Sequence, residues 1–155
     1  LSLFFKNPEA PAGFMHKLSF GAYNKKFKAE DNEYAWLSTD KDIVEKYDKD
    51  PYCGGVFSGA FYRDLMYGVN YISSSKSLKQ IPKGTKVHIF SGEDDPVGNY
   101  GVGVKKVYRS FQKLGLDVKL TLYPGMRHEI LNATNRQQVY EDMLTCMQEV
   151  SQNKS

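Results

Sequence analysis

The chain has 155 residues, 21 Lys+Arg against 18 Asp+Glu for a formal net charge of +3, and 41% hydrophobic and 25% charged residues. This balance excludes wholesale disorder and is enough to bury a core without disulfides, while so small a charge gives no argument for a nucleic-acid partner. No stretch approaches the ~18 apolar residues of a bilayer span, so a soluble chain without a transmembrane segment is expected.

Upstream of residue 81 the sequence is aromatic and Lys-rich, with helical pieces and irregular turns but no convincing alternating strand. Thr39 is placed to cap a short helix carrying Ile43, Val44 and Tyr47 on one side, which ends before Asp50-Pro51. Phe61, Leu65, Val69 and Ile72 recur at helical spacing and predict a helix over 58–72, with Ser58 as its N-cap. The serine run at 73–77 reads as a loop.

The pattern changes at Ile81-Pro82-Lys83-Gly84. Lys86-Val87-His88-Ile89-Phe90 is a short β-type run that stops at Ser91-Gly92. Val104, Val107, Tyr108, Phe111 and Leu114 then follow a helical period closed by Gly115. Val118, Leu120 and Leu122 alternate with polar neighbours until Tyr123-Pro124-Gly125 ends a second strand. Val139, Met143, Cys146, Met147 and Val150 share one face of a last helix, with Thr134 and Gln137 spaced as a capping box. Strand, helix, strand, helix is a βαβ unit with a helix behind it, which calls for a parallel sheet and a right-handed crossover. Two strands alone make a poor parallel sheet, so this portion is expected to be the end of a larger α/β fold. The absence of an initiator Met at Leu1 is read the same way, as a chain that starts inside its parent.

In open α/β sheets ligands bind beyond the carboxyl ends of the strands. Ser91-Gly92-Glu93-Asp94-Asp95-Pro96-Val97-Gly98 leaves the first strand there, and Tyr123-Pro124-Gly125-Met126-Arg127-His128-Glu129 leaves the second. A carboxylate from the first loop that accepts the Nδ1 proton of His128 fixes its tautomer and stabilises the imidazolium, which is the base half of a nucleophilic triad. The plainer alternative is a solvated acidic turn beside a packing histidine. Gly98-Asn99-Tyr100-Gly101-Val102-Gly103 lacks the spacing of a phosphate cradle and reads as a helix entry. Asp40, Asp42, Asp48 and Asp50 lack the Gly and terminal Glu of an EF-hand, so no metal site is expected. Lys25, Lys26 and Lys28 read as a solvated face. Cys53 and Cys146 belong to no metal or redox motif and are read as reduced, half-buried thiols of a cytoplasmic protein. The sequons at Asn132 and Asn153 gain weight only in a secreted protein.

The two loops, with Ile130-Leu131-Asn132 after the second, resemble the Asp and His motifs of α/β-hydrolase serine enzymes, nearest to the lysophospholipase and monoacylglycerol-lipase-like branch grouped with serine aminopeptidases. Phe20 to Phe27, Tyr34-Ala35-Trp36-Leu37-Ser38 and Tyr47 to Gly54 are similar to that branch's helical cap. The resemblance implies a cap over 1–80, the C-terminal part of the hydrolase core over 81–155, Asp95 as the catalytic acid because it precedes Pro96, and His128 as the base. It implies no cofactor. Ala133 and Cys146 depart from the family's usual Glu and Trp. The larger departure is the missing G-x-S-x-G elbow, since Ser58 follows no strand and falls in the cap.

The expected parent is therefore a serine hydrolase of long-chain esters, lysophospholipids or monoacylglycerols, with Phe20, Tyr23, Phe57 and Phe61 covering the acyl chain. The serine comes from a missing N-terminal half, and this chain alone is expected to be inactive. A peptidase or amidase of the same fold is one alternative. An inactive piece that only self-associates or pairs with another chain is the other.

Overall fold

The computed structural model describes residues 7–152. Upstream lie α1 (Gly13–Phe20), a 3₁₀ segment (Tyr23–Glu30), α2 (Lys41–Lys49), α3 (Gly59–Ser73) and α4 (Ser75–Leu78). Downstream follow β1 (Lys86–Gly92), α5 (Val102–Lys113), β2 (Asp117–Tyr123), a 3₁₀ turn (Ile130–Asn132) and α6 (Arg136–Gln152). Among the described residues no helix is long and apolar enough to cross a membrane. The side chain of Val150 and the sequon at Asn153 lie outside the described residues.

β1 and β2 pair in parallel, from Lys86 opposite Asp117 to Gly92 opposite Tyr123, and α5 makes the crossover. Both strands therefore end at one level, the arrangement the βαβ pattern predicts. Gly115, at φ 77°, ends the turn after α5 in the left-handed region that glycine tolerates.

The core sits beneath these strand ends. Tyr123, Met126, Ile130, Ala133 and Val139 form its buried cluster, with Phe90 and Met143 packed against it. The Tyr123 hydroxyl donates to Asp142 Oδ2 at 2.8 Å, which fastens α6 to the end of β2. On the same strand pair His88 stacks on Phe90 at 4.0 Å, its Nδ1 lies 3.2 Å from Cys146 Sγ and its Nε2 lies 3.0 Å from Thr121 Oγ1. Burial lowers the His88 pKa and favours a neutral ring. Met147, placed by its spacing on the core face of α6, is largely exposed instead.

Four upstream and capping details differ from the sequence expectation. Asp40, not Thr39, caps α2, its carboxylate accepting from the Asp42 amide at 3.1 Å. Thr39 is drawn away by a distant partner, accepting from the Thr134 amide at 3.1 Å. That contact also removes Thr134 from a capping box, and Gln137 bonds forward to Glu141 at 2.9 Å. The serine run is not loop throughout: Ser74 accepts from the Ser77 amide at 3.1 Å and caps α4. Ser58 does cap α3, accepting from Phe61 N at 3.2 Å. Yet the stripe of Phe61, Leu65, Val69 and Ile72 stays exposed, while Gly59 and Tyr62 are the buried residues of that helix. Tyr62 faces α1, with its hydroxyl 3.4 Å from His16 Nδ1.

The crossing of the two strand-end loops leaves no room at Gly92. A Cβ there would lie 2.2 Å from the Arg127 carbonyl oxygen and 2.3 Å from that of Met126, both backbone atoms. Gly92→Ala is expected to lower stability by about 3 kcal/mol, read as a drop in urea midpoint. Gly68→Ala, in the middle of α3 with open space around its Cβ, is expected to raise it by up to about 1 kcal/mol.

Candidate active site

The acidic loop folds back on itself directly after β1. Asp95 N donates to the Gly92 carbonyl at 3.4 Å, and Tyr100 N donates to the Asp95 carbonyl at 2.8 Å. Asn99, Tyr100 and Gly101 then run through the left-handed region at φ 50°, 53° and 76°, a tight curl that delivers the chain into α5. This is the helix entry expected from the Gly98 to Gly103 run, and Gly103 N closes it on the Gly98 carbonyl at 2.9 Å.

Asp95 is 7% exposed, and both its carboxylate oxygens are engaged. Oδ1 accepts from Val97 N at 2.8 Å, and Oδ2 lies 3.1 Å from His128 Nδ1. Its two acidic neighbours do other things. Glu93 N and Asp94 N donate across to the Tyr123 and Met126 carbonyls, each at 2.9 Å, and hold the second loop against the first. The structure thus brings Asp95 and His128 together.

The His128 side chain is 40% exposed, so one edge is wet while Nδ1 faces Asp95. Its pKa is raised, chiefly by the hydrogen bond to Asp95, against the opposing effect of burial and with further help from the charges of Asp95 and Glu129. With Nδ1 carrying the proton toward Asp95, Nε2 is left as the acceptor.

The imidazole also rests on Trp36, ring centroids 5.4 Å apart at 44°. Aromatic contacts continue from Trp36 to Tyr23 at 5.0 Å, from Tyr23 to Phe20 at 6.0 Å and from Phe20 to His16 at 5.1 Å. Next to this row lies a cavity of about 510 Å³ whose walls include Phe20, Asn24, Tyr34, Trp36, Tyr47 and Phe57. Of the four aromatics expected to cover a ligand, Phe20 and Phe57 line this cavity. Tyr23 stands behind Trp36, its hydroxyl pKa raised by burial and then by Asp95. Phe61 stacks on Phe57 at 4.2 Å and is itself exposed.

Two residues that sequence reading gave no role enter here. Trp36 joins the cavity to the imidazole, and Arg127 ties the histidine loop to the upstream segment through Glu30 and the carbonyls of Ala35 and Ser38. Both stood in motifs that carried the family resemblance, and no local pattern marked them further. Asp40, Asp48 and Asp50 accept bonds from Asp42 N, Asn32 Nδ2 and Tyr52 N. Among the described residues no group of three or more His, Cys, Asp or Glu could hold a metal ion.

Comparison with known proteins identifies the fold and the family. The half-sheet with its helices superimposes on part of the α/β-hydrolase fold: on a thermostable carboxyl esterase from Bacillus coagulans in complex with glycerol with a TM-score of 0.84, 23% identity, and 95% of this chain covering 48% of that one. A lipase in its open form matches with a TM-score of 0.81 and 26% identity over 92% of this chain and 47% of the lipase. A soluble variant of monoglyceride lipase from Saccharomyces cerevisiae, in complex with a substrate analog, matches with a TM-score of 0.57, 24% identity, and 75% and 39% coverage. No curated protein matches the chain by sequence. The family model for serine aminopeptidase, S33, matches residues 6–135, and the chain belongs to that family of α/β hydrolases. It spans about half the length of the first two of these structures.

The raised pKa of His128 sets a pH dependence whose sign is fixed. A group whose folded pKa lies above its unfolded one adds stability below the unfolded value and loses it as pH rises through the folded value. The His128–Asp95 pair is therefore expected to stabilise the chain on the acidic side of the imidazole range, with the contribution fading as pH rises through the raised value. Urea midpoints taken across about pH 5 to 8 should show this slope in the wild type, and Asp95→Asn should flatten it.

Proposed function

We propose that this chain is the acid-and-base half of a serine hydrolase that cleaves carboxylic esters of long acyl chains, lysophospholipids or monoacylglycerols. The observation that carries the reading is the Asp95–His128 pair, 3.1 Å apart beyond the carboxyl ends of two parallel strands and beside an aromatic-walled cavity. Family membership and the 26% identity to a lipase support it. In this reading residues 1–80 are the cap and 81–155 the end of the core.

A serine from a segment outside these 155 residues, on the family's G-x-S-x-G elbow, attacks the ester carbonyl and forms an acyl-enzyme. His128 takes the serine proton at Nε2 as the C–O bond to serine forms, then gives it to the departing alcohol oxygen as the ester bond breaks. Water, deprotonated by the same nitrogen, releases the acid. Asp95 stays ionised throughout and holds the Nδ1 proton, which fixes the tautomer and stabilises the imidazolium. Phe20, Phe57 and Trp36 supply apolar walls for the acyl chain, and no cofactor takes part.

The family's aminopeptidase description favours a second reading, cleavage of an amide next to a free amine. Glu33 at the cavity wall is the carboxylate available to meet that ammonium, with Lys17 opposing it on the same wall. A panel of p-nitrophenyl esters of increasing chain length against aminoacyl anilides separates the two. Joined to the segment encoded before Leu1, the chain is expected to turn over long-chain esters and to react with a serine-directed phosphonate. Asp95→Asn should then cut turnover by roughly 10³–10⁴-fold, and His128→Ala by as much. Full activity without His128, or a loss seen only with Asp94→Asn, rejects the assignment.

A further inference from the structure

We propose that Arg127 is a positioning residue for His128, acting by fastening the loop that carries the imidazole to the aromatic segment 27–38. The inference deepens the reading of His128 as a base and rests on it.

The Arg127 side chain is 12% exposed, and both terminal nitrogens of its planar fork are engaged. Nη1 donates to the Ala35 carbonyl at 2.6 Å, to the Ser38 carbonyl at 3.0 Å and to Glu30 Oε2 at 3.1 Å, while Nη2 pairs with Glu30 Oε1. The guanidinium lies 4.2 Å over the Phe27 ring. The same two segments also meet through their backbones. Glu129 N donates to the Leu37 carbonyl at 2.7 Å and His128 N to the Trp36 carbonyl at 3.5 Å. Residues 35–38 thus run beside 127–129, and Arg127 clamps them at both ends, through Ala35 and Ser38.

His128 needs such a clamp. Its side chain is 40% exposed, and one side-chain hydrogen bond, to Asp95, is described for it. The Trp36 ring is the second wall. Trp36 follows directly on Ala35, whose carbonyl Arg127 holds, so the arginine sets where the indole stands and the indole sets the imidazole. The charges facing His128 are Asp95, from the loop after β1, and Glu129, from its own loop. Arg127 is paired with Glu30, whose carboxylate pKa is lowered chiefly by that hydrogen bond. Its influence on His128 is therefore one of placement.

Placement and charge predict opposite signs. Removing a nearby cation makes an imidazole easier to protonate and raises its pKa. Loosening the bond to Asp95 lowers it. NMR titration of His128 in the 155-residue chain is expected to give a lower pKa for both Arg127→Gln and Arg127→Lys, moving toward the ordinary imidazole value. Arg127→Lys keeps the charge and cannot form the fork, so it decides the question if the glutamine variant fails to fold. The pH dependence of Trp36 emission, the single tryptophan of the chain, should weaken in the same variant as the indole leaves the imidazole. In the hydrolase joined to its serine segment, Arg127→Lys is expected to lower kcat roughly 10–100-fold with little change in KM. A His128 pKa that stays put or rises in folded Arg127→Lys overturns the proposal. A lowered pKa together with full turnover by His128→Ala keeps the positioning role and rejects the hydrolase reading.

Discussion

Everything at the site hangs on the in-register parallel pairing that ends β1 and β2 side by side, Gly92 opposite Tyr123. Because the strands stop together, the loop bearing Asp95 and the loop bearing His128 leave the sheet at one level and cross at once. The crossing is close enough that only a glycine fits at Gly92, and the amides of Glu93 and Asp94 bond directly to the carbonyls of the second loop. A slip of one residue in either strand would turn its side chains to the other face and carry Asp95 away from the histidine. The core beneath, Tyr123 with Met126, Ile130, Ala133 and Val139, is the packing that forbids such a slip.

The upstream segment completes the site rather than merely lying over it. Its aromatic row begins on the imidazole at Trp36 and ends at His16, and the cavity lies alongside. Attachment to the downstream half comes from polar contacts: Arg127 with Glu30, Arg136 with Asp40 at 3.2 Å, Ser38 Oγ with the Asn132 carbonyl at 2.7 Å, and Lys26 over the Tyr100 ring at 3.5 Å. A row of rings supplies apolar area at little entropic cost, while the directional contacts fix where that area stands. Division of labour of this kind keeps the cavity wall in place.

What the sequence disclosed was local. Both strands, the crossover helix and the termination at Gly115 follow from hydrophobic period and glycine punctuation, signals carried within a few residues. The meeting of Asp95 and His128 was legible for a related reason, since position at a strand's carboxyl end is itself a local property. Most of the misreadings involve distant partners; the serine run, where Ser74 caps α4 through the Ser77 amide, is a local exception. Thr39 leaves its capping role because Thr134 takes it, and Asp40 steps in. The apolar stripe of α3 has the correct period, yet Tyr62 is the residue that packs, because α1 lies on that side. Arg127 and Trp36 belong to the same class. Their importance is set by Glu30, Ala35 and the imidazole, which no spacing rule connects.

The contrast between the two members of the pair carries the chemistry. Asp95 is almost wholly buried and accepts bonds at both oxygens, so its carboxylate is fixed in place. His128 is partly wet and is bonded at one nitrogen. A buried carboxylate pressed against a half-exposed imidazole raises the basicity of the ring while leaving its other edge accessible. Were His128 as deeply buried as Asp95, desolvation would oppose the imidazolium, as it does at His88, where burial lowers the pKa. The chain therefore holds two histidines shifted in opposite directions: burial dominates at His88, while at His128 the hydrogen bond to Asp95 outweighs it. In the proposed reaction it is the one with a carboxylate behind it and solvent before it that accepts and returns the proton.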